Sequence, residues 1–327
     1  MKVIPNKALE FLLARGNLPI LYWLKKDILD VPVDREFKNL CKYAARIRIL
    51  ESQRDDGSWC RRKAENPPRW EKAYSLLETL KNISKLYDYG CSQEEEHVQK
   101  AIKFLFSAQT REGDFRGFCL DEYAPTCQAL TLEILCRYGL DRDKRVQKGF
   151  RWILKNRQND GGWAIPYQTR DREQLENRYR VGLKSKTGPI QTDKSQPFSL
   201  HVTGMILRAL AESATWRKSK EAWKAGEMVL ACFFKIDHMD QRDHPFFWEE
   251  INYPFWATDI LSSLDALSKI GFNPENVNIA RALDWLMKNQ NGQGFWEAAN
   301  KKASLEDHLW VTMAVLRVLK RFGVLKI

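Results

Sequence analysis

The sequence lacks the long apolar runs that would place it in a membrane and the paired cysteines of a disulfide framework. Its longest purely apolar stretches span only a handful of residues, whereas a helix that crosses a bilayer needs about 20. Seven cysteines are scattered without a CxxC pair, which favours reduced thiols. Glu10, Arg15 and Asn17 interrupt the first apolar stretch, so it does not resemble a secretory signal. We therefore expect a cytoplasmic protein.

A strong single-sign charge is also absent from most stretches of the chain. The 53 basic and 42 acidic residues give a net charge of +11, but the bases alternate with acids along the sequence. We interpret this as a solvated cationic surface and expect no nucleic-acid partner, while peripheral contact with an anionic membrane stays open. The 44% hydrophobic content and 12 tryptophans supply enough apolar mass for a core, which excludes wholesale disorder.

A glycine-containing turn that ends in an aromatic residue recurs through the sequence. The copies are Gln53–Trp59, Gln109–Phe115, Gln158–Trp163 and Gln290–Trp296, the third of them one residue shorter than the others. Trp248 follows a polar stretch and marks a degenerate copy. The step from Trp163 to Trp248 is too long for one repeat, and the polar segment 164–197 accounts for the excess as an insertion.

Apolar residues at helical spacing lie between these turns and predict pairs of helices. The helices that follow the turns are apolar on nearly all sides and are expected inside, whereas those that precede the turns are amphipathic and are expected outside. The inner helices are predicted near 71–89, 122–138, 198–213, 254–270 and 306–322. A small hydroxyl residue marks the first turn of each one, at Ser75, Thr126, Thr203, Thr258 and Thr312.

Paired helices with no strand pattern predict an all-α fold, and the simplest closed arrangement is an (α/α)6 toroid with a central cavity. We expect residues 1–327 to form a single toroid domain that contains the inserted polar loop 164–197. The glycine permits the turn, and the glutamine and aspartate can bond backbone groups at helix ends. The tryptophan can cover the junction between pairs.

The turn Gln53–Trp59 resembles the QW motif of squalene-hopene and oxidosqualene cyclases. The alternating pairs resemble the α/α toroid that those enzymes share with protein-prenyltransferase β subunits. Ser199–Gly204 and Pro254–Asp259 resemble stretches of poorly characterised prenyltransferase or squalene-cyclase repeat proteins. The resemblance covers essentially the whole chain, and it implies a terpenoid cyclase-like protein that binds an apolar isoprenoid.

The catalytic motifs of these families are missing from the sequence. Cyclases of this type protonate an alkene with the acid of a DxDD motif, which is absent; His201 is the only ionisable residue at an equivalent helix position. Magnesium-dependent ionisation needs DDxxD, and the only adjacent aspartate pair, Asp55–Asp56, belongs to a QW turn. The prenyltransferase zinc site needs Asp-x-Cys, which does not occur although His308 could match its histidine. We expect no metal and no organic cofactor.

Residues near the starts of the inner helices form the predicted site at one mouth of the toroid. The candidate acids or bases are His201, Asp121, Asp259 and Asp307. The candidate ligand-binding residues are mostly aromatic, because ring faces shape a hydrocarbon chain and stabilise carbocations. They are Trp70, Tyr74, Tyr123, Phe198, Phe255, Trp256, His308 and Trp310.

Two functions remain open from the sequence. The first is a non-canonical cyclase or isomerase, or its diverged descendant, that binds a polyprenyl or terpenoid ligand in the central cavity. The second is a non-catalytic toroid that serves as a binding or protein-interaction scaffold. Cyclases of this resemblance usually place the active site against a second helical domain, so we expect a helical partner subunit to supply one if activity needs it.

Overall fold

Helices joined by short turns make up the part of the chain that the computed structural model describes, namely residues 5–60, 71–118, 122–171, 173, 175 and 188–325. No strand is found in these ranges, which contain only isolated bridges. In chain order the α-helices are α1 (Pro5–Arg15), α2 (Leu18–Trp23), α3 (Asp34–Leu40), α4 (Ala44–Glu51), α5 (Glu71–Asp88), α6 (Glu96–Ser107), α7 (Pro125–Arg137), α8 (Lys144–Lys155), α9 (Pro166–Thr169), α10 (Leu200–Glu212), α11 (Lys220–Ala231), α12 (Ile260–Ile270), α13 (Val277–Lys288) and α14 (Leu305–Arg321).

The chain divides into two compact units. The central unit comprises Arg48–Ala225 and Met239–Gln241, and the terminal unit comprises Met1–Ile47, Gly226–His238 and Arg242–Ile327. In the central unit, α7 packs against α5, α8 and α10. In the terminal unit, α12 packs against α13 and α14, and α14 also contacts α1 and α2.

Burial separates the helices into the two expected sets. α10 and α14 are buried on nearly all faces, whereas α6 and α13 bury one stripe each. α5 is the exception among the expected inner helices, because Lys81 and Lys85 are exposed on it. The prediction of buried helices that alternate with one-sided helices is therefore confirmed for α7, α10, α12 and α14.

Two of the buried helices begin later than the apolar pattern predicts. α7 begins at Pro125, whose ring disfavours helical backbone at the residue before it. α12 begins at Ile260 and not near 254, because Asp259 caps it: the carboxylate accepts from the backbone N–H of Ser262 at 2.7 Å. Proline at α7 and a polar cap at α12, and not the apolar pattern, set these starts.

The closing tryptophan of the QW turn bonds the one-sided helix that precedes it. In three turns the indole N–H donates to a carbonyl near the end of that helix: Trp59 to Ile49 at 2.8 Å, Trp163 to Ile153 at 2.8 Å and Trp296 to Leu286 at 2.6 Å. Trp248 is fully buried, and its indole donates to Lys235 at 3.0 Å with a longer chain separation. This longer reach fits a degenerate copy of the turn.

The same aromatic residue also bonds the buried helix that follows. The backbone N–H of Trp163 donates to the Thr203 hydroxyl at 3.1 Å, and that of Trp296 donates to Thr312 at 3.1 Å. In the first two repeats the acceptors are Thr79 and Gln128, whereas the hydroxyl residues that mark these repeats in the sequence are Ser75 and Thr126. Trp59, Trp163 and Trp296 therefore each join both helices of their repeat.

The glutamine of the turn holds the next one-sided helix. The Gln53 amide donates to the carbonyls of Gly57 at 3.0 Å and His97 at 2.9 Å, the latter in the first turn of α6. Gly57 has a φ of +87°, and a Cβ there would lie 2.3 Å from the Lys100 carbonyl, so only glycine fits. The aspartate differs between copies: the Asp56 carboxylate accepts from the Ser58 N–H within its turn, whereas Asp160 accepts from the backbone N–H of Phe198, just before α10, at 2.8 Å.

In the third repeat, the glutamine of the turn bonds part of the inserted segment. The Gln158 amide donates to the carbonyls of Asp193 at 2.7 Å and Gln196 at 3.0 Å. The backbone N–H of Asn159 donates to the Lys194 carbonyl at 2.9 Å. Residues 188–197 are thus bonded onto the QW turn from which the insertion departs.

Replacing the hydroxyl that accepts from Trp163 should destabilise the protein. Thr203→Val keeps the shape but leaves the buried Trp163 N–H without an acceptor, so we expect a loss of about 1–3 kcal/mol in the free energy of unfolding by urea denaturation. Thr203→Ser keeps the hydroxyl and should lose less. Equal stability of the valine variant and the wild type would contradict this role.

Candidate functional site

Six of the predicted site residues lie in the terminal unit and four in the central unit. The terminal unit holds Phe255, Trp256, Asp259, Asp307, His308 and Trp310, and the central unit holds Tyr74, Tyr123, Phe198 and His201. Trp70 and Asp121 lie outside the described residues. The predicted convergence of these residues on one mouth stays a prediction.

Three aromatic rings of the terminal unit pack together at the approach to α12 and the start of α14. The rings of Tyr253 and Trp310 are stacked, with centroids 5.4 Å apart and planes inclined by 16°. Phe255 meets Tyr253 edge-on at 5.2 Å. All three are buried, whereas the neighbouring Trp256 is 37% exposed. We call Tyr253, Phe255 and Trp310 the ring cluster.

The predicted acids of the terminal unit both cap helices. Asp259 is buried and forms a reciprocal pair with Ser262, whose hydroxyl accepts from the Asp259 backbone N–H at 2.9 Å. Asp307 accepts from the backbone N–H and the hydroxyl of Ser304, both at 2.7 Å, at the start of α14. These carboxylates accept hydrogen bonds from backbone N–H groups that have no acceptor within the helix at its start.

His308 is oriented by the backbone after the last QW turn. Its Nδ1 accepts from the backbone N–H of Ala298 at 3.0 Å, which places the proton of the neutral ring on Nε2. The ring lies 5.4 Å from that of Phe295 in the same turn. His308 can therefore donate from Nε2 while Nδ1 is occupied.

In the central unit, the start of α10 is held by Asp240, a residue that the sequence analysis missed. The Asp240 carboxylate accepts from the Ser199 hydroxyl at 2.8 Å and from the backbone N–H of His201 at 3.0 Å, and it also accepts from the Gln168 amide. A carboxylate at a helix N-terminus is favoured by the helix dipole. The backbone of His201 thus bonds the Asp240 carboxylate. This is the helix position at which the sequence lacks the DxDD acid.

Tyr123 is held against the second QW turn. Its hydroxyl donates to the Glu112 carboxylate, and its ring meets that of Trp152 edge-on at 4.9 Å. Burial and the hydrogen bond to Glu112 raise the pKa of Tyr123 to about 12. The ring packs on the turn and on α8, so it serves the fold at this position. The remaining two residues, Tyr74 and Phe198, are half-buried.

Glu122 is a second chemically distinctive residue that the sequence analysis missed. It is 8% exposed, and burial raises its pKa from 4.5 to about 7. Within the described residues its carboxyl has no hydrogen-bond or ionic partner. It forms a bridge with Ile190 of the inserted segment, and the next backbone N–H, that of Tyr123, donates to the Ile190 carbonyl at 3.1 Å.

Metal-ligating side chains do not gather in groups of three or more anywhere in the described ranges. The same ranges contain no helix that is both long and apolar enough to span a membrane. Among the described residues, the candidate site chemistry consists of aromatic faces, capping carboxylates and the buried Glu122 carboxyl.

Buried and one-sided helices joined by QW turns are the architecture of terpenoid cyclase-like proteins. Residues 140–314, more than half of the chain, match the squalene-hopene cyclase C-terminal domain, and the chain belongs to this family. The predicted superfamily and all-α fold class are thereby confirmed. A search of curated proteins found no match.

Solved structures with similarity to the chain include terpene cyclases. A protein from Actinoplanes is 16% identical over 97% of this chain and 98% of that chain, with a TM-score of 0.46. A variant of the type II terpene cyclase MstE from Scytonema, in complex with the product merosterolic acid A, is 13% identical over 88% and 98%, with a TM-score of 0.31. Another variant of it, in complex with the substrate geranylgeranyl dihydroxybenzoate, is 13% identical over 88% and 98%, with a TM-score of 0.32.

The buried Glu122 carboxyl should make stability depend on pH. Its pKa of about 7 in the folded state exceeds the ordinary 4.5, so the folded protein holds this proton more tightly. The resulting stabilisation is complete below pH 4.5 and is lost as the pH rises to about 7, a change of about 3 kcal/mol. Glu122→Gln should remove this contribution and be the more stable protein at pH 8.

Urea denaturation across this pH range measures the difference between the variant and the wild type. Glu51→Gln, which changes an exposed glutamate of the same unit, is the matched control and should follow the wild type. A difference between Glu122→Gln and wild type that does not vary with pH would contradict the assignment.

Substitution of Asp259 should show how much its cap at the start of α12 contributes to stability. Asp259→Ala removes the acceptor for the Ser262 N–H and should lower the free energy of unfolding by about 1–2 kcal/mol. Asp259→Asn keeps an acceptor oxygen and should retain most of the stability. Thermal unfolding monitored by circular dichroism checks both, and an alanine variant as stable as wild type would show that the cap is dispensable.

Proposed function

We propose that the chain binds an apolar isoprenoid ligand, polyprenyl or terpenoid, and that the aromatic residues near the starts of α12 and α14 contact it. The observation that carries this proposal is the ring cluster of Tyr253, Phe255 and Trp310 together with the exposed Trp256. Membership of the squalene-hopene cyclase C-terminal domain family supports the same ligand class.

Aromatic faces suit such a ligand for two physical reasons. An isoprenoid chain offers only apolar surface and double bonds, so its affinity comes from burial at about 25 cal/mol per Å². Ring faces also carry negative charge density, which stabilises a positive charge that develops on carbon. Trp256 supplies accessible apolar surface next to rings whose positions are fixed by stacking.

A reaction at this site would be a non-canonical cyclisation or isomerisation, because the DxDD acid is absent from the sequence. His201, Asp121, Asp259 and Asp307 remain the proposed acids or bases for such a reaction. The caps use Oδ1 of the Asp259 carboxylate and Oδ2 of the Asp307 carboxylate.

A second candidate function is that of a non-catalytic binding or interaction scaffold. The observation that favours it is the same pair of caps, since Asp259 and Asp307 are sufficiently explained by helix starts. In this case the aromatic residues bind a ligand that is carried and not converted.

The proposal extends to a partner subunit, the cellular location and the inserted segment. A helical partner subunit would cover the ligand if catalysis needs a second domain. No disulfide joins the described cysteines, at positions 41, 60, 91, 127, 136 and 232, which supports a cytoplasmic location. The inserted segment 164–197 is proposed as a lid or partner-binding element of a single toroid domain.

Extraction of the purified protein with organic solvent, followed by mass spectrometry, should recover a co-purifying isoprenoid. Trp256→Ala should weaken binding of geranylgeraniol about 10-fold, since loss of one ring contact of roughly 50–60 Å² removes about 1.4 kcal/mol. Trp285→Ala on α13 is the matched control and should bind as the wild type does. No recovered isoprenoid, together with no binding of geranylgeraniol by the wild type, would refute the proposal.

A further inference from the structure

One outer surface of the central unit carries an unusual row of positive charge. α8 contains five basic residues and no acidic residue in the sequence KRVQKGFRWILK. Lys144, Lys148, Arg151 and Lys155 follow one another at steps of four, three and four residues. At 100° per residue they fall within an arc of about 60°, along roughly 16 Å of helix. We call these four residues the basic stripe.

The basic stripe faces solvent because the opposite side of α8 is fixed in the core. Val146, Phe150 and Ile153 are fully buried on that side. Gly149 lies so close to α7 that an added Cβ would come within 2.8 Å of Leu132. In the stripe, Lys144, Arg151 and Lys155 are exposed and Lys148 is half-exposed.

Carboxylates do not neutralise the basic stripe within the described part of the chain. The one ion pair formed there by a base of α8 joins Arg145 to Asp143, and Arg145 is not in the stripe. Other one-sided helices pair their lysines, as Lys100 does with Glu96 and Lys288 with Asp284, both at 2.7 Å. The stripe therefore keeps its charge where comparable helices cancel theirs.

Neighbouring elements of the same unit extend this positive surface. The Lys194 ammonium donates to the Lys155 carbonyl at 2.7 Å, which adds a cation at the end of α8. The chain before α11 packs on α8, where the Trp216 indole donates to Gln147 at 2.9 Å. α11 then presents Lys220, Lys224 and Trp223, which is 44% exposed.

We propose that this face, the basic stripe with Lys194, Lys220, Trp223 and Lys224, docks on the surface of an anionic phospholipid bilayer. Three of the four stripe residues are lysines, which attract negative charge diffusely, whereas geometric recognition of single phosphates in nucleic acid favours arginine. An exposed indole beside lysines fits the interface between lipid headgroups and acyl chains. Each base near such a surface adds to the binding free energy, and salt weakens the attraction.

Co-sedimentation of the full chain with vesicles tests this proposal. We expect binding to vesicles of phosphatidylcholine mixed with phosphatidylglycerol, little binding to pure phosphatidylcholine, and release by high salt. Replacing all four stripe residues with glutamine should weaken binding at least about 100-fold. Trp223→Ala should weaken it several-fold, and Trp223→Phe should restore most of the loss.

A charge-matched control variant distinguishes a docking face from net charge alone. Lys38, Lys42, Lys301 and Lys302 are exposed bases outside this face, and their joint replacement with glutamine removes the same charge. That variant should bind vesicles as the wild type does. Equal losses in both variants, no preference for anionic vesicles, or tighter stripe-dependent binding to a DNA duplex would each overturn the proposal; far-UV circular dichroism confirms that every variant is folded.

Discussion

Each repeat of this protein depends on the closing aromatic residue of its QW turn. In the third and fourth copies the backbone N–H reaches a hydroxyl on the following buried helix, and the indole N–H reaches a carbonyl of the preceding one-sided helix. These backbone and indole donors lie in the core, where a donor without an acceptor costs about 1–3 kcal/mol. The turn therefore fixes two helices at once, and glutamine adds the next one-sided helix in the first two copies.

The all-α class and the alternation of helices could be predicted because they depend on contacts close in sequence. A tryptophan that bonds a carbonyl ten residues earlier leaves a fixed spacing, as between Trp163 and Ile153. Helix starts were less predictable. The apolar residues that suggested a start of α12 near 254 lie before Asp259, which caps the helix. The acceptors in the first two repeats, Thr79 and Gln128, do not stand at the hydroxyl marker of the sequence pattern, so the repeat spacing does not indicate them.

The site residues that escaped prediction are those whose chemistry comes from distant parts of the chain. Asp240 reaches the start of α10 across 39 residues, and no local pattern marks it as a cap. Glu122 has its pKa raised to about 7 because it is buried, next to its bridge with Ile190 of the inserted segment. A sequence gives the residue type but not its desolvation, so a carboxyl of this kind is identified only from the fold.

Polar groups within the buried helices are largely committed to holding those helices together. In the central unit, Glu133 on α7 pairs with Arg208 on α10 at 3.3 Å, and both side chains are buried. In the terminal unit, Asp265 on α12 pairs with Arg321 on α14. Removing one member of a buried pair costs about 3–5 kcal/mol, because it leaves the other charge uncompensated. Ion pairs and caps thus account for several acids of the described buried helices, and this supports the proposal that aromatic surface recognises a hydrocarbon ligand.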